Sequence, residues 1–90
     1  MTLIARTVLI TNRRGLHARA SAKFVTVASS VGMTVEVEKD GSKVVGTSIM
    51  GLMMLGAAMG DSIVISANGD GADLAVQTLV DLVEAKFGEE

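Results

Sequence analysis

The sequence predicts an α+β two-layer sandwich, with elements in the order β-α-β-β-α-β-α. Three observations carry that prediction. "MTVEVEK" from Met33 alternates apolar and polar residues and runs into Asp40-Gly41, a pair that suits a hairpin turn. Two longer segments, 18–30 and the one after Asp70, place their apolar residues at helical spacing. The chain has 90 residues, 49% of them hydrophobic. That is enough for one small core and one domain over residues 1–90, and too apolar for disorder.

The elements follow in order. "LIARTVLI", residues 3–10, is β-branched and apolar and reads as the first strand. "TNRRG" is a loop. The helix at 18–30 groups Ala20, Phe24, Val27 and Ala28 on one face and closes at Val31-Gly32. In the strand from Met33, Met33, Val35 and Val37 face inward and Thr34, Glu36 and Glu38 outward. A short partner strand, about Ser42 to Gly46, returns antiparallel. Thr47 and Ser48 are both N-cap candidates for a short helix limited by Gly51 and Gly56. "DSIVISA" is the last strand. Asp70 is expected to cap the final helix, with Asp73 in its first turn. That helix groups Leu79, Leu82, Val83 and Phe87 and ends at Gly88.

Composition excludes several classes of function. The chain has no cysteine, which rules out disulfides and thiol chemistry and suits a reducing cytoplasm. One histidine cannot build a multi-histidine metal site, so no metal and no cofactor are expected. The net charge of -2 and the absence of Trp and Tyr argue against nucleic-acid binding. The first ten residues lack a small-residue cleavage site and carry Arg6 inside their apolar run, so no secretion signal is expected. "SIMGLMMLGAAMG" falls short of the ~20 residues a membrane span needs.

The chemistry concentrates in "TNRRGLHARASAKF", residues 11–24, around the single histidine His17. His17 precedes a helix whose first N–H groups are unpaired and carry roughly half a positive charge. Such a terminus, here the backbone of Ala18 and Arg19, suits phosphate. A neutral imidazole nitrogen is a nucleophile, so a phosphoryl group attached there has its oxygens stabilised in place, with the Arg19 side chain within reach. The plainer reading is a solvent-facing histidine at a loop, with Arg13 and Arg14 as solvated charges. A serine-histidine hydrolase using Ser21 lacks the strained nucleophile turn and the acidic orienter. "NGDGAD" from Asn68 lacks the glycine and glutamate of a calcium loop. "IMGLMMLGAAMG" holds more apolar side chains than a short helix can bury, which leaves thioethers exposed for docking.

"GLHARASAKFV" around His17, "GTSIMGLMML" around Ser48 and the element order together resemble HPr, the histidine-containing phosphocarrier family of the bacterial phosphoenolpyruvate-dependent phosphotransferase system. The resemblance implies an open-faced sandwich, a four-stranded antiparallel sheet covered on one face by three helices. It implies a phosphocarrier rather than an enzyme, in the cytoplasm, with His17 receiving a phosphoryl group on Nδ1 from enzyme I and passing it to EIIA-type domains. Arg19 matches the arginine beside the phosphohistidine. Ser48 matches the serine modified by HPr kinase/phosphorylase in some bacteria. Arg13, Arg14, Ile49, Met50, Met53 and Met54 are expected to form the docking surface of a monomer. Two positions depart from the family pattern: Ala20 stands where proline is common, and Arg14 where asparagine is frequent. The wording around His17 also resembles forms that regulate nitrogen or carbon metabolism without importing sugar. The alternative is a non-catalytic interaction module on a similar sandwich, with His17 incidental.

Overall fold

The structure, a computed structural model, describes residues 2–89. Four strands, β1 (Leu3–Leu9), β2 (Glu36–Lys39), β3 (Ser42–Val45) and β4 (Ser62–Asn68), form an antiparallel sheet in the order β1-β4-β2-β3. Three helices, α1 (Ala18–Ser30), α2 (Ile49–Met54) and α3 (Ala72–Glu84), complete the open-faced sandwich that the sequence implies. The register places Val8 opposite Ile63, and Val37 opposite both Ile65 and Val44. These residues face the helices, while Leu3, Leu9 and Val45 lie exposed. Phe24 of α1, Leu52 of α2, and Val76, Leu79 and Val83 of α3 close the core from above. Each such side chain contributes about 1.5–3 kcal/mol on burial. Among the described residues, no helix is long and apolar enough to cross a membrane.

Several boundaries differ from expectation, each for a local reason. The alternation from Met33 is present, since Thr34 is exposed and Val35 buried, but pairing with β4 begins only at Glu36. β1 stops one residue early, and Ile10 instead bonds the loop before β4 through its N–H to the Asp61 carbonyl, 2.8 Å. Gly51 lies inside α2 rather than limiting it. A Cβ there would sit 3.0 Å from both Val44 Cβ and Ser48 Oγ, so the glycine lets α2 lie close on β3. Ser48, not Thr47, caps α2.

Asp70 does not cap α3. The N-cap is Gly71 at φ +86°, in a tight turn closed by the Ala72 N–H on the Gly69 carbonyl, so Asp70 falls one residue early. Asp73 does lie in the first turn. The final helix also ends sooner than its apolar spacing suggests, at Glu84. A single turn of 3-10 helix, Lys86–Gly88, follows, with Lys86 and Phe87 at φ +57° and +56°. Left-handed backbone costs a non-glycine residue roughly 1–2 kcal/mol. Burial of the Phe87 ring, 2% exposed, offsets that cost and turns the chain back toward α1.

Candidate functional site

The site begins with a loop whose turn requires glycine. Gly15 stands at φ +62°, and a Cβ on it would lie 2.3 Å from the Ala57 carbonyl oxygen. No side chain fits there, and the close approach lets the Leu16 N–H donate to that same oxygen at 2.9 Å. Leu16 is buried, which anchors the loop to the segment after α2. Asn12, fully buried, donates from Nδ2 to the Gly15 carbonyl at 2.9 Å and braces the turn from inside. The Ser21 hydroxyl donates to the Leu16 carbonyl, 3.1 Å, and fastens the loop to the first turn of α1.

His17 is therefore the N-cap of α1. Its backbone is extended, its carbonyl accepts the Ser21 N–H at 2.8 Å, and its Nδ1 accepts the Arg19 N–H at 3.3 Å. Nδ1 thus keeps its lone pair directed at the first-turn N–H groups. The other ring nitrogen, Nε2, lies 2.6 Å from Glu89 Oε2. A carboxylate at that distance holds the proton on Nε2. Glu89 Oε1 in turn accepts from Asn12 Nδ2 at 3.1 Å. The plainer reading, a solvent-facing histidine at a loop, does not hold: the tail covers the ring, and the His17 side chain is 14% exposed.

Hydrogen bonding from His17, above all, holds the Glu89 carboxyl below its ordinary value. The Asn12 amide and the charge of Arg14 act in the same direction, and partial burial opposes them. Asn12 completes this network incompletely. Its Oδ1 is buried with no partner among the described residues, a deficit that costs on the order of 1–3 kcal/mol.

The other expected site residues fall around this centre. Ala18 and Arg19 open α1 and are exposed, as are Arg13 and Arg14 in the preceding loop. Arg19 lines a groove of about 650 Å³ with Lys23, Phe87, Gly88 and Glu89. Lys23 Nζ donates to the Phe87 carbonyl at 3.2 Å and clips the tail turn to α1. Ser48 is exposed, and its Oγ accepts the Gly51 N–H at 3.0 Å. Ile49, Met50, Met53 and Met54 are all exposed, Met54 by 79%, on a helix that packs beside α1. Sequence reasoning missed Asn12 and Glu89. Asn12 had a weak signal as an asparagine in a turn; Glu89 had none, since nothing in its neighbourhood marks a contact across the whole chain. Among the described residues, no group of three His, Cys, Asp or Glu side chains could hold a metal ion.

The chain is similar to known proteins over nearly all of its length. A family model described as "PTS HPr component phosphorylation site" matches residues 4–85. The chain is 45% identical over 87 residues to a phosphocarrier protein HPr of Neisseria meningitidis, covering 97% of this chain and 98% of that one. It is 38% identical over 89 residues to a phosphocarrier protein NPr of Shewanella violacea, covering 99% and 98%. The crystal structure of an HPr from Thermoanaerobacter tengcongensis superposes with a TM-score of 0.88 at 48% identity, covering 100% of this chain and 99% of that one.

Proposed function

The chain belongs to the HPr phosphocarrier family of the phosphotransferase system, and we propose that it accepts a phosphoryl group on His17 Nδ1 from enzyme I and passes it to EIIA-type domains. One observation carries this reading: Nδ1 of His17 accepts from the Arg19 N–H in the first turn of α1. A phosphoryl group bonded to Nδ1 brings its anionic oxygens to the Ala18 and Arg19 N–H groups, which have no carbonyl four residues back to pair with. The 3.3 Å contact from the Arg19 N–H is long enough to give way to such an oxygen. Arg19 supplies a guanidinium that bonds two of them at once. Group transfer of this kind needs no cofactor.

The exposed side chains of Ile49, Met50, Met53 and Met54, with Arg13 and Arg14, form the docking surface in this reading. Ser48, at the edge of that surface, is the site for an HPr kinase/phosphorylase in an organism that has one. The protein acts as a cytoplasmic monomer that carries the phosphoryl group between partners. A regulatory, nitrogen-type branch is a second reading of the acceptor side, favoured by the likeness to a protein named NPr.

The deciding experiment is incubation with phosphoenolpyruvate and enzyme I. The expected product is an acid-labile, alkali-stable phosphate that His17→Ala does not acquire. Label on the His17→Ala protein would remove His17 as acceptor. A folded wild type that takes no label would favour the interaction-module reading.

A further inference from the structure

We propose that Glu89 is a positioning residue for phosphoryl transfer: through its 2.6 Å contact with His17 Nε2 it fixes the ring so that Nδ1 alone acts as nucleophile. The proposal rests on the carrier reading above. It stands on a chain of contacts with one purpose in common. Asn12, fully buried, donates to Glu89 Oε1 and to the Gly15 carbonyl, so one amide ties the carboxylate to the loop that carries His17. From the other side, the tail that delivers Glu89 is anchored by the buried Phe87 ring and by Lys23 on the Phe87 carbonyl. Two non-glycine residues accept left-handed backbone to make that return possible, and the Glu89 N–H closes the turn on the Lys86 carbonyl at 2.8 Å. Strained backbone at Lys86 and Phe87 is retained where it places one carboxylate against one ring nitrogen.

The chemistry needs that carboxylate. When Nδ1 attacks, its lone pair forms the N–P bond, and the bond between phosphorus and the donor breaks with its electron pair leaving on the donor. The proton stays on Nε2, so the ring carries positive charge as the N–P bond forms. Glu89 faces that charge across a hydrogen bond and balances it. In onward transfer the same bond keeps Nε2 protonated, so the electrons of the breaking N–P bond return to a neutral imidazole, a good leaving group. Arg14 favours the carboxylate form of Glu89 through its charge, and Arg19 and Lys23 line the groove beside it.

The test uses the full chain with Glu89→Ala and Glu89→Gln, read by NMR and by phosphoryl transfer from enzyme I. In the wild type the His17 Nε2–H proton should be visible, shifted downfield and shielded from solvent exchange. Glu89→Ala should lose that signal and slow transfer about tenfold, the lower end of the cost of removing an acceptor behind a functional histidine. Glu89→Gln keeps an acceptor oxygen but no charge; it should retain the signal and recover only part of the rate. Backbone amide shifts away from the tail should not change in either variant. An unaltered Nε2–H signal in Glu89→Ala would overturn the contact, and a wild-type rate in both variants would overturn the positioning role. If the alanine variant does not fold, a wild-type rate in Glu89→Gln alone overturns it. A wild type with the Nε2–H signal but no phosphoryl uptake would overturn the carrier reading instead, and with it the transfer half of this proposal.

Discussion

His17 separates its two nitrogens by what each one meets: N–H groups at Nδ1 and a carboxylate at Nε2. In the proposed transfer Arg19 is the adjustable part of the site, since its side chain is exposed and free to follow a phosphoryl group as it arrives. Arg19→Ala should therefore leave His17 modifiable and slow transfer roughly tenfold or more, the equivalent of one charge-assisted hydrogen bond of about 1.5 kcal/mol. Arg19→Lys should recover only part, because an ammonium lacks the planar fork. Stopped-flow or quench measurements of label uptake decide this, and equal rates for wild type and Arg19→Ala would take Arg19 out of the site. The lowered value of the Glu89 carboxyl sets a pH dependence. Its contact with His17 contributes fully above the ordinary carboxylate value of 4.5 and is lost as pH falls through the depressed folded value. The protection factors of the residue 86–89 amides, taken relative to intrinsic exchange at each pH, should thus hold from neutral pH down to 4.5 and fall only below it. A tail that loosens above 4.5 would contradict the contact. His17 and Arg19 were legible because they sit together in one short motif. Asn12 and Glu89 were not, because the bonds that join them to each other and to His17 span 77 and 72 residues and leave no local pattern.

The helices show what local pattern can and cannot fix. α1 was readable to its ends, since apolar spacing defined Ala20, Phe24 and Ala28 as buried and His17 preceded a regular run. Strands were readable from alternation and from the Asp40-Gly41 turn, whose residues stand at φ +50° and +84°. The start of α3 was misread because a glycine turn, not a side chain, supplies its geometry, and its end because left-handed Lys86 and Phe87 carry no compositional mark. α2 tests function at this scale. Ser48 already accepts the Gly51 N–H, so phosphate oxygens on the same side chain can take over that bond, and the fold should tolerate them. The roughly -1.5 to -2 charges added beside Ile49, Met50 and Met53 must be desolvated or repelled when an acidic partner docks. Phosphorylated Ser48 should leave the amide spectrum native outside α2 and lower transfer from enzyme I roughly tenfold or more. An undiminished rate would leave Ser48 as a helix cap only.

At the scale of the whole molecule, the Leu16 bond to Ala57 and the packing of α2 beside α1 bring the histidine loop and the methionine helix onto one end of the sandwich. A single surface of this kind cannot serve donor and acceptor at once. Enzyme I and an EIIA domain should compete for the protein in a titration, and the association rate should fall with salt as Arg13, Arg14 and Arg19 are screened over ~10 Å at 0.1 M. A stable ternary complex would refute the shared surface. The backward turn of the tail has a practical meaning for anyone attaching a label, a tag or a surface linker to this chain. A label carried on Gly88 or Glu89 lies against the contacts of Glu89 with His17 and Asn12 and competes with partners for approach. β1, by contrast, begins at Leu3 and runs seven residues, about 20 Å, before the chain reaches the loop that leads to His17. Of the two segments as places for a label, the start of β1 leaves the histidine clear.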